Sequence, residues 1–372
     1  MFPKHSFRPT WAEINLDRLR SHVRLIHRYT GLPLIGVVKA DAYGHGADEV
    51  SRVLRQEGVN IFAVATLDEA IELREAGIEG EILLLGPLNG RGYEEIFLYR
   101  LTPAVVSLEY AFRLHREAER RNTFLPVHVE IDTGMGRYGI HFTEAVEKIS
   151  EIMALKSLRV EGMFSHFPSA ESDEDFSREQ VRRFREVMRF LEERGMSIPF
   201  SHMANSAAVW CVPDAYGENF THVRPGLSLY GVAPRPVEGL LPVMSLKTRI
   251  VQLRVLSRGE TVSYLRQYTV SLPREVIAVL PVGYADGIPV LGSGRYEVAI
   301  RGKKYPQVGR VCMDSMMVSL GTNPDGLEEG EEVEIFGDTV SIEEFGRRSQ
   351  RIPYEVMCGI SKRVPRIYKE RE

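Results

Sequence analysis

From residue 34 to about 230 the chain alternates between short apolar runs and longer amphipathic stretches. The runs "LIGVV" (34–38), "IFAVA" (61–65), "EILLL" (81–85), "PAVVS" (103–107), "PVHVEI" (126–131), "RVEGMFS" (159–165), "IPFSH" (198–202) and "THV" (221–223) read as strands. They are short, apolar and bounded by turn-forming residues. The stretches between them have helical period. In 174–194, Val181, Phe184, Val187, Met188 and Leu191 share one face and arginines and glutamates fill the other. Eight strand–helix alternations predict parallel β/α units, and their number predicts a closed (β/α)8 barrel, although an open doubly wound sheet satisfies the same periodicity.

The pattern changes after Tyr230. Pro234, Pro236 and Pro242 in "GVAPRPVEGLLPVM" mark a junction. Residues 1–235 are therefore expected to form the barrel domain and 236–372 a second domain, with the first few residues associating with the latter. Beyond the junction "REVIAVLPVGYADG", "YEVAIRGKKYPQVGRV" and "EEVEIFGD" read as short strands of a mainly antiparallel β-domain.

Composition narrows the function. The 372 residues are 44% apolar and carry 51 acidic against 47 basic side chains, a net charge of −4. So even a balance gives no footprint for nucleic acid or an acidic membrane surface. No apolar run is long enough to span a bilayer, and the N-terminus lacks the continuous apolar stretch of a signal peptide. The three cysteines, Cys211, Cys312 and Cys358, have no metal-ligand spacing and suit a reducing compartment. A cytoplasmic protein is expected, with no metal site.

The residues capable of chemistry cluster by position. Active sites of (β/α)8 barrels form at the C-terminal ends of the strands. Lys39 follows the first strand, Arg137 lies in "DTGMGRYG" after the fifth, and His166 follows the sixth. Asn205 and Ser206 follow the seventh, and Arg224 with Gly226 follows the eighth. Ser206 and the amides of Gly226 and Leu227 fall where such barrels commonly hold phosphate. A strand-end lysine beside a phosphate seat points to pyridoxal phosphate, since a partly buried lysine becomes a usable amine nucleophile. Each residue also has a structural use. Lys39 suits a surface ion pair, His166 a satisfied core imidazole, Arg137 a tight turn paired with a carboxylate, and Ser206 a cap for the helix starting at Ala207. Their coincidence at one rim favours a barrel enzyme with a phosphorylated ligand.

Seven motifs carry a more specific likeness. "VVKADAYGHG", "DTGMGRYG", "HMANSAA", "VRPGLSLYG", "VGYADG", "GRVCMDSMM" and "IPYEVMCGISKRVPR" occur in order, and over about residues 11–367 the chain resembles the bacterial alanine racemases. That resemblance implies an N-terminal barrel carrying pyridoxal phosphate, a C-terminal β-domain, and a homodimer whose subunits share their active sites. It implies interconversion of L- and D-alanine, supplying D-alanine for peptidoglycan. A broader-specificity racemase acting on serine, for example, and a non-catalytic pyridoxal-phosphate protein are the alternatives on the same scaffold.

By the same resemblance Lys39, Tyr264, His166 and Arg224 are the catalytic group. Lys39 carries the cofactor and handles the α-proton of the D-enantiomer. Tyr264, in "TVSY", serves the L-enantiomer from the opposite subunit. His166 packs by the cofactor and polarises Tyr264, and Arg224 faces the pyridine nitrogen. Tyr43, Ser206, Gly226, Leu227 and Tyr354 correspond to phosphate contacts. Arg137 and the backbone amide of Met313, the latter from the partner chain, correspond to the clamp on the substrate carboxylate. Tyr284, Arg310 and Ile352 correspond to the entry channel. One position departs from the family: Glu130, in "VEIDTGMGR", stands where many members have a lysine that is often carbamylated. Its carboxylate either supports Arg137, directly or across a bridging group, or is satisfied elsewhere in the barrel.

Overall fold

A computed structural model describes residues 7–370. The chain forms two compact units, one of residues 19–42 and 47–240, the other of residues 7–18, 43–46 and 241–370.

In the first unit seven parallel strands lie in chain order: Ile35–Val37, Ile61–Val64, Glu81–Leu84, Thr102–Val105, Leu125–Asp132, Leu158–Phe164 and Phe200–His202. Helices intervene, among them Leu67–Glu75, Leu108–Arg120 and Glu174–Glu193. The strands read as continuous apolar runs because both faces are covered, and Ile61–Val64 and Thr102–Val105 are buried at every position. The expected strand at 221–223 is reduced to isolated bridges, Leu34 to Val223 and His202 to His222. It still closes the ring, because Val223 O accepts from Ile35 N at 2.8 Å, Pro225 O from Val37 N at 3.1 Å, and Ser201 O from Thr221 N at 2.9 Å. Pro225 has no N–H to extend the ladder. Helix Glu174–Glu193 buries Val181, Phe184, Val187 and Leu191, each stabilising by about 1.5–3 kcal/mol.

The second unit is a nine-stranded sheet. Strand Thr10–Asn15 lies inside it, antiparallel to Met244–Arg249 (Thr10 opposite Thr248) and parallel to Arg366–Lys369. The other pairings run antiparallel, as the alternation after Tyr230 implied. A small hairpin, Thr261–Val262 with Tyr268–Thr269, stands apart from the large sheet.

Candidate active site

Lys39 is half-buried at the end of the first barrel strand and opens the helical segment Lys39–Gly44. This segment is left-handed. Ala40, Asp41, Ala42 and Tyr43 have φ between +52° and +54°, and Gly44 has +82°. Such a conformation costs an L-residue about 1–2 kcal/mol, so it persists only where its surroundings impose it. Ala42 N donates to Val38 O at 2.9 Å, and the Asp41 carboxylate accepts from Ala47 N at 2.8 Å. Glu69 completes the hold. One of its oxygens accepts from Ala40 N at 2.7 Å and the other from Ala65 N at 2.7 Å and Thr66 N at 3.1 Å. Glu69 is the third helical residue of a capping box on Thr66, so one carboxylate ties the ends of two barrel strands behind Lys39.

Arg224 is the electrostatic centre of the barrel rim. Its side chain is buried, with the guanidinium 5.1 Å from the centroid of the Phe164 ring. Nη1 donates to His202 Nδ1 at 2.7 Å, and Nη2 donates to Ser165 O at 2.7 Å and lies 3.2 Å from His166 Nδ1. Arginine only donates, so both Nδ1 atoms accept and each ring carries its proton on Nε2. His202 Nε2 then donates to His128 Nδ1 at 3.0 Å. This places the His128 proton on Nε2, 3.3 Å from Glu81 Oε1 at the start of the third strand. Burial pushes all three imidazoles down, His128 to about 3, and the charge of Arg224 adds to the effect. Arg137 and Lys39 also hold His166 neutral. Gly162 makes room for the relay, since a Cβ there would lie 2.3 Å from His128 Nδ1.

After the seventh strand, Asn205 rather than Ser206 caps the short helix, its Oδ1 accepting from Ala208 N at 2.9 Å. Ser206 is free of that structural task. Its hydroxyl accepts from Gly226 N at 2.9 Å and Ser228 N at 3.1 Å. A phosphate monoester seated here would take the Ser206 O–H and draw to itself N–H groups of this loop that now donate to the hydroxyl. Leu227 follows, buried, at the start of a single 3₁₀ turn. A phosphate seat, a strand-end amine and a guanidinium that cannot give up its proton suit the cofactor expected from the sequence.

Glu130 lies buried on the fifth barrel strand. Burial pushes its carboxyl up to about 7 against the opposing pull of Arg224 and Arg137. Among the described residues no hydrogen bond joins it to Arg137, which is exposed with its guanidinium 5.7 Å from the centroid of the Tyr138 ring. The loop bearing Arg137 is shaped by Asp132, whose Oδ1 accepts from Gly134 N at 2.9 Å and Gly136 N at 3.1 Å.

The remaining expected residues belong to the second unit. Tyr43 and Tyr354 have ring centroids 6.4 Å apart. Tyr264 follows strand Thr261–Val262 and is 67% exposed. Met313 is also exposed and lines the same cleft as Tyr264, together with Leu256, Val262, Ile277 and Met317. The carbonyls of Cys312 and Met313 accept from Tyr284 N at 2.9 Å and Ala285 N at 3.0 Å, while no acceptor among the described residues takes the Met313 N–H. Buried Asp286 organises both loops, accepting from Arg8, Arg363 and Gly283 N, and Arg363 reaches on to Asp314 at 2.6 Å. Tyr284, Arg310 and Ile352 are exposed.

Sequence reasoning missed Glu69, His202, His128 and Asp286. Only Glu69 had a local signal, the "TLDE" capping box. The others act through contacts between residues distant in sequence.

Comparison with known proteins agrees along the whole chain. The family described as "Alanine racemase, N-terminal domain" matches residues 14–234, and "Alanine racemase, C-terminal domain" matches 243–368. Alanine racemase 2 of Caldanaerobacter subterraneus subsp. tengcongensis is 42% identical over 97% of this chain and 95% of its own length. The structure of alanine racemase from Clostridium difficile 630 superposes with a TM-score of 0.91 at 37% identity, covering 98% of this chain and 96% of that one. Alanine racemase from Bartonella henselae, solved with covalently bound pyridoxal phosphate, gives a TM-score of 0.88 at 26% identity, over 97% and 99%.

Proposed function

The chain belongs to the alanine racemase family, enzymes that interconvert L- and D-alanine with pyridoxal phosphate, and we propose that here Lys39 and Tyr264 are the two bases that move the α-proton. Bound cofactor supplies the carbonyl that captures the substrate amine and the electron-withdrawing ring that acidifies Cα–H.

The protein's own groups do the rest. Lys39 presents its amine from the locked end of the first strand and exchanges the proton on the D face. Tyr264 presents its phenol to the L face. Two bases are required because the proton removed from one face must be replaced from the other. Ser206, the amides of Gly226 and Leu227, and the hydroxyls of Tyr43 and Tyr354 hold the phosphate. Arg137 and the Met313 N–H hold the substrate carboxylate.

Arg224 carries this reading. Its guanidinium is buried, and its hydrogen bonds to neutral His202 and to Ser165 O leave it a donor that cannot surrender its proton. Toward the pyridine nitrogen it therefore donates without protonating, which restrains the electron demand of the ring. The neutral His166 beside it accepts at Nδ1 and keeps an N–H on Nε2 to orient the phenol of Tyr264.

Tyr264, Leu265 and Met313 are 67%, 83% and 52% exposed on the second unit. Exposure of a base and a carboxylate donor supports a homodimer in which each subunit completes the other's site. A cytoplasmic enzyme supplying D-alanine for peptidoglycan fits this chemistry, and no helix among the described residues is long and apolar enough to cross a membrane.

The test is L-alanine in heavy water, following α-deuteration and handedness together. Accumulating deuterated D-alanine is the expected result. Exchange without inversion, the proton leaving the L face but none arriving on the D face, overturns Lys39 as the opposing base. Absence of exchange overturns Tyr264 as the L-face base or alanine as the substrate.

A further inference from the structure

The hairpin that bears Tyr264 is too small to hold its own shape. Its strands pair at Thr261 opposite Thr269 and Val262 opposite Tyr268, with two more backbone hydrogen bonds joining Val270 to Gly259 and Glu260, and a lone two-stranded hairpin is marginal in water. Its turn is strained as well. Ser263, Leu265 and Arg266 have φ of +69°, +59° and +51°, a conformation L-residues rarely adopt. Contacts outside the turn must therefore decide where the Tyr264 phenol stands.

Two anchors do this, one on each side of Tyr264. On the leading side, Ser263 Oγ donates to Arg310 O at 2.6 Å, and the close approach needs the glycine at 309, where a Cβ would come within 2.8 Å of Ser263 Cβ. On the trailing side, Tyr268 Oη donates to Glu275 Oε1 at 2.6 Å, and Ser319 Oγ donates to the same oxygen.

Glu275 is 1% exposed, and its Oε2 has no hydrogen-bond partner among the described residues. Burying a carboxyl with one oxygen unsatisfied is unfavourable. Leu256, Val262, Val270, Ile277, Val308 and Met317 form an apolar cluster beside it, with Tyr268 packed against them. An aliphatic side chain at 275 would leave the Tyr268 and Ser319 hydroxyls without this acceptor but would suit the apolar cluster better, so packing alone gives no reason for a carboxyl. Position does. Burial, followed by the bond to Glu275, pushes the Tyr268 phenol up to about 12. It stays a donor throughout the working range and is held to one acceptor.

We infer that Glu275 is a positioning residue for the racemisation: acting through Tyr268, it fixes the hairpin so that the Tyr264 phenol stands at the L face of the substrate. The inference rests on the reading of Tyr264 as the second base.

The test uses the holoenzyme with D-alanine in heavy water, measuring solvent exchange at Cα and inversion separately. D-alanine loses its proton to Lys39 and needs Tyr264 only for inversion. A displaced phenol therefore raises the ratio of exchange to inversion, whereas a general loss of folded enzyme lowers both together. Tyr268→Phe, which deletes one hydroxyl, and Glu275→Leu are expected to raise the ratio about tenfold. Glu275→Gln, which keeps an acceptor oxygen, should restore it to near wild type. Amide hydrogen exchange should quicken across 261–269 and stay unchanged across 276–280. An unchanged ratio in Tyr268→Phe and Glu275→Leu, with Tyr264→Phe abolishing inversion, overturns the role of Glu275 alone. Inversion that survives Tyr264→Phe overturns the second-base reading itself. If Glu275→Leu does not fold, Tyr268→Phe decides the question.

Discussion

His202 Nδ1 lies 2.7 Å from Nη1 of Arg224, and that contact fixes the tautomers of two histidines at once. Arginine leaves His202 no choice but to accept, and His202 in turn leaves His128 none. A permanent cation at the rim thereby sets the protonation of an imidazole deeper in the barrel. The arrangement needs every ring to stay neutral, which gives it a measurable dependence on acid.

His128 is held at about 3 against an ordinary value of 6.5. Between those values the unfolded chain binds a proton that the folded chain refuses. Stability therefore rises with pH across this window and is lost as pH falls through it, on the order of 5 kcal/mol in all. Urea midpoints from pH 7 to pH 5 should fall, and His128→Asn should flatten the slope by about 1.4 kcal/mol per pH unit. An unchanged slope would mean that His128 already carries a proton in the fold.

Glu130 works in the opposite sense. Its carboxyl is pushed up to about 7 from 4.5, so between those values the folded state holds the extra proton. Stability is then highest below pH 4.5 and falls as pH rises toward 7, by about 3 kcal/mol. Glu130→Gln should be more stable than the parent at pH 8 and equal to it at pH 4.5, as thermal melts at the two pH values will read. From 4.5 to 6.5 the Glu130 slope opposes those of His128, His166 and His202, so Glu130→Gln varies with pH more steeply there than the parent.

Gly162→Ala should cost about 1–3 kcal/mol by overpacking. Its Cβ would lie 2.3 Å from His128 Nδ1 and 2.4 Å from two ring carbons, and the ring is wholly buried. The accompanying change would be a broken contact between His128 and His202, visible as altered imidazole nitrogen shifts.

Ala40→Gly should stabilise by about 1 kcal/mol. Ala40 is exposed and sits at φ +52°, where glycine escapes the left-handed penalty and recovers more than its own chain entropy costs. Denaturant unfolding measures it. Destabilisation instead would show that the alanine methyl packs better than its exposure implies.

Much of this was legible in the sequence because parallel barrel strands are covered on both faces. Ile61–Val64 and, after Glu81, residues 82–84 therefore appear as unbroken apolar runs. Lys39 and Arg224 were conspicuous for the converse reason, as charges set against such runs. The left-handed turn was not legible, since Ala-Asp-Ala-Tyr has no preference for positive φ and adopts it only under outside constraint. Ser206 had two readings, phosphate ligand or helix cap, and the cap falls away because Asn205 beside it has the same capacity and takes the role. Glu130 left two readings open, support for Arg137 or a carboxyl satisfied elsewhere in the barrel, because its burial depends on a barrel interior that no local pattern reveals. Glu275 and Tyr268 are seven residues apart on different strands, so their bond exists only after the sheet has formed.

Strand Thr10–Asn15 has a history during synthesis. Its neighbours in the sheet are Met244–Arg249 and Arg366–Lys369, so it leaves the ribosome more than two hundred residues before the first of them. At about 5–20 residues per second, that is a wait of roughly ten to fifty seconds. Through that interval a segment destined for the interior of a sheet, Trp11 and Ile14 included, has no edge to join. A strand made early is thus among the last to find its place, and a nascent chain stalled before residue 244 would display it to any other unpaired strand nearby.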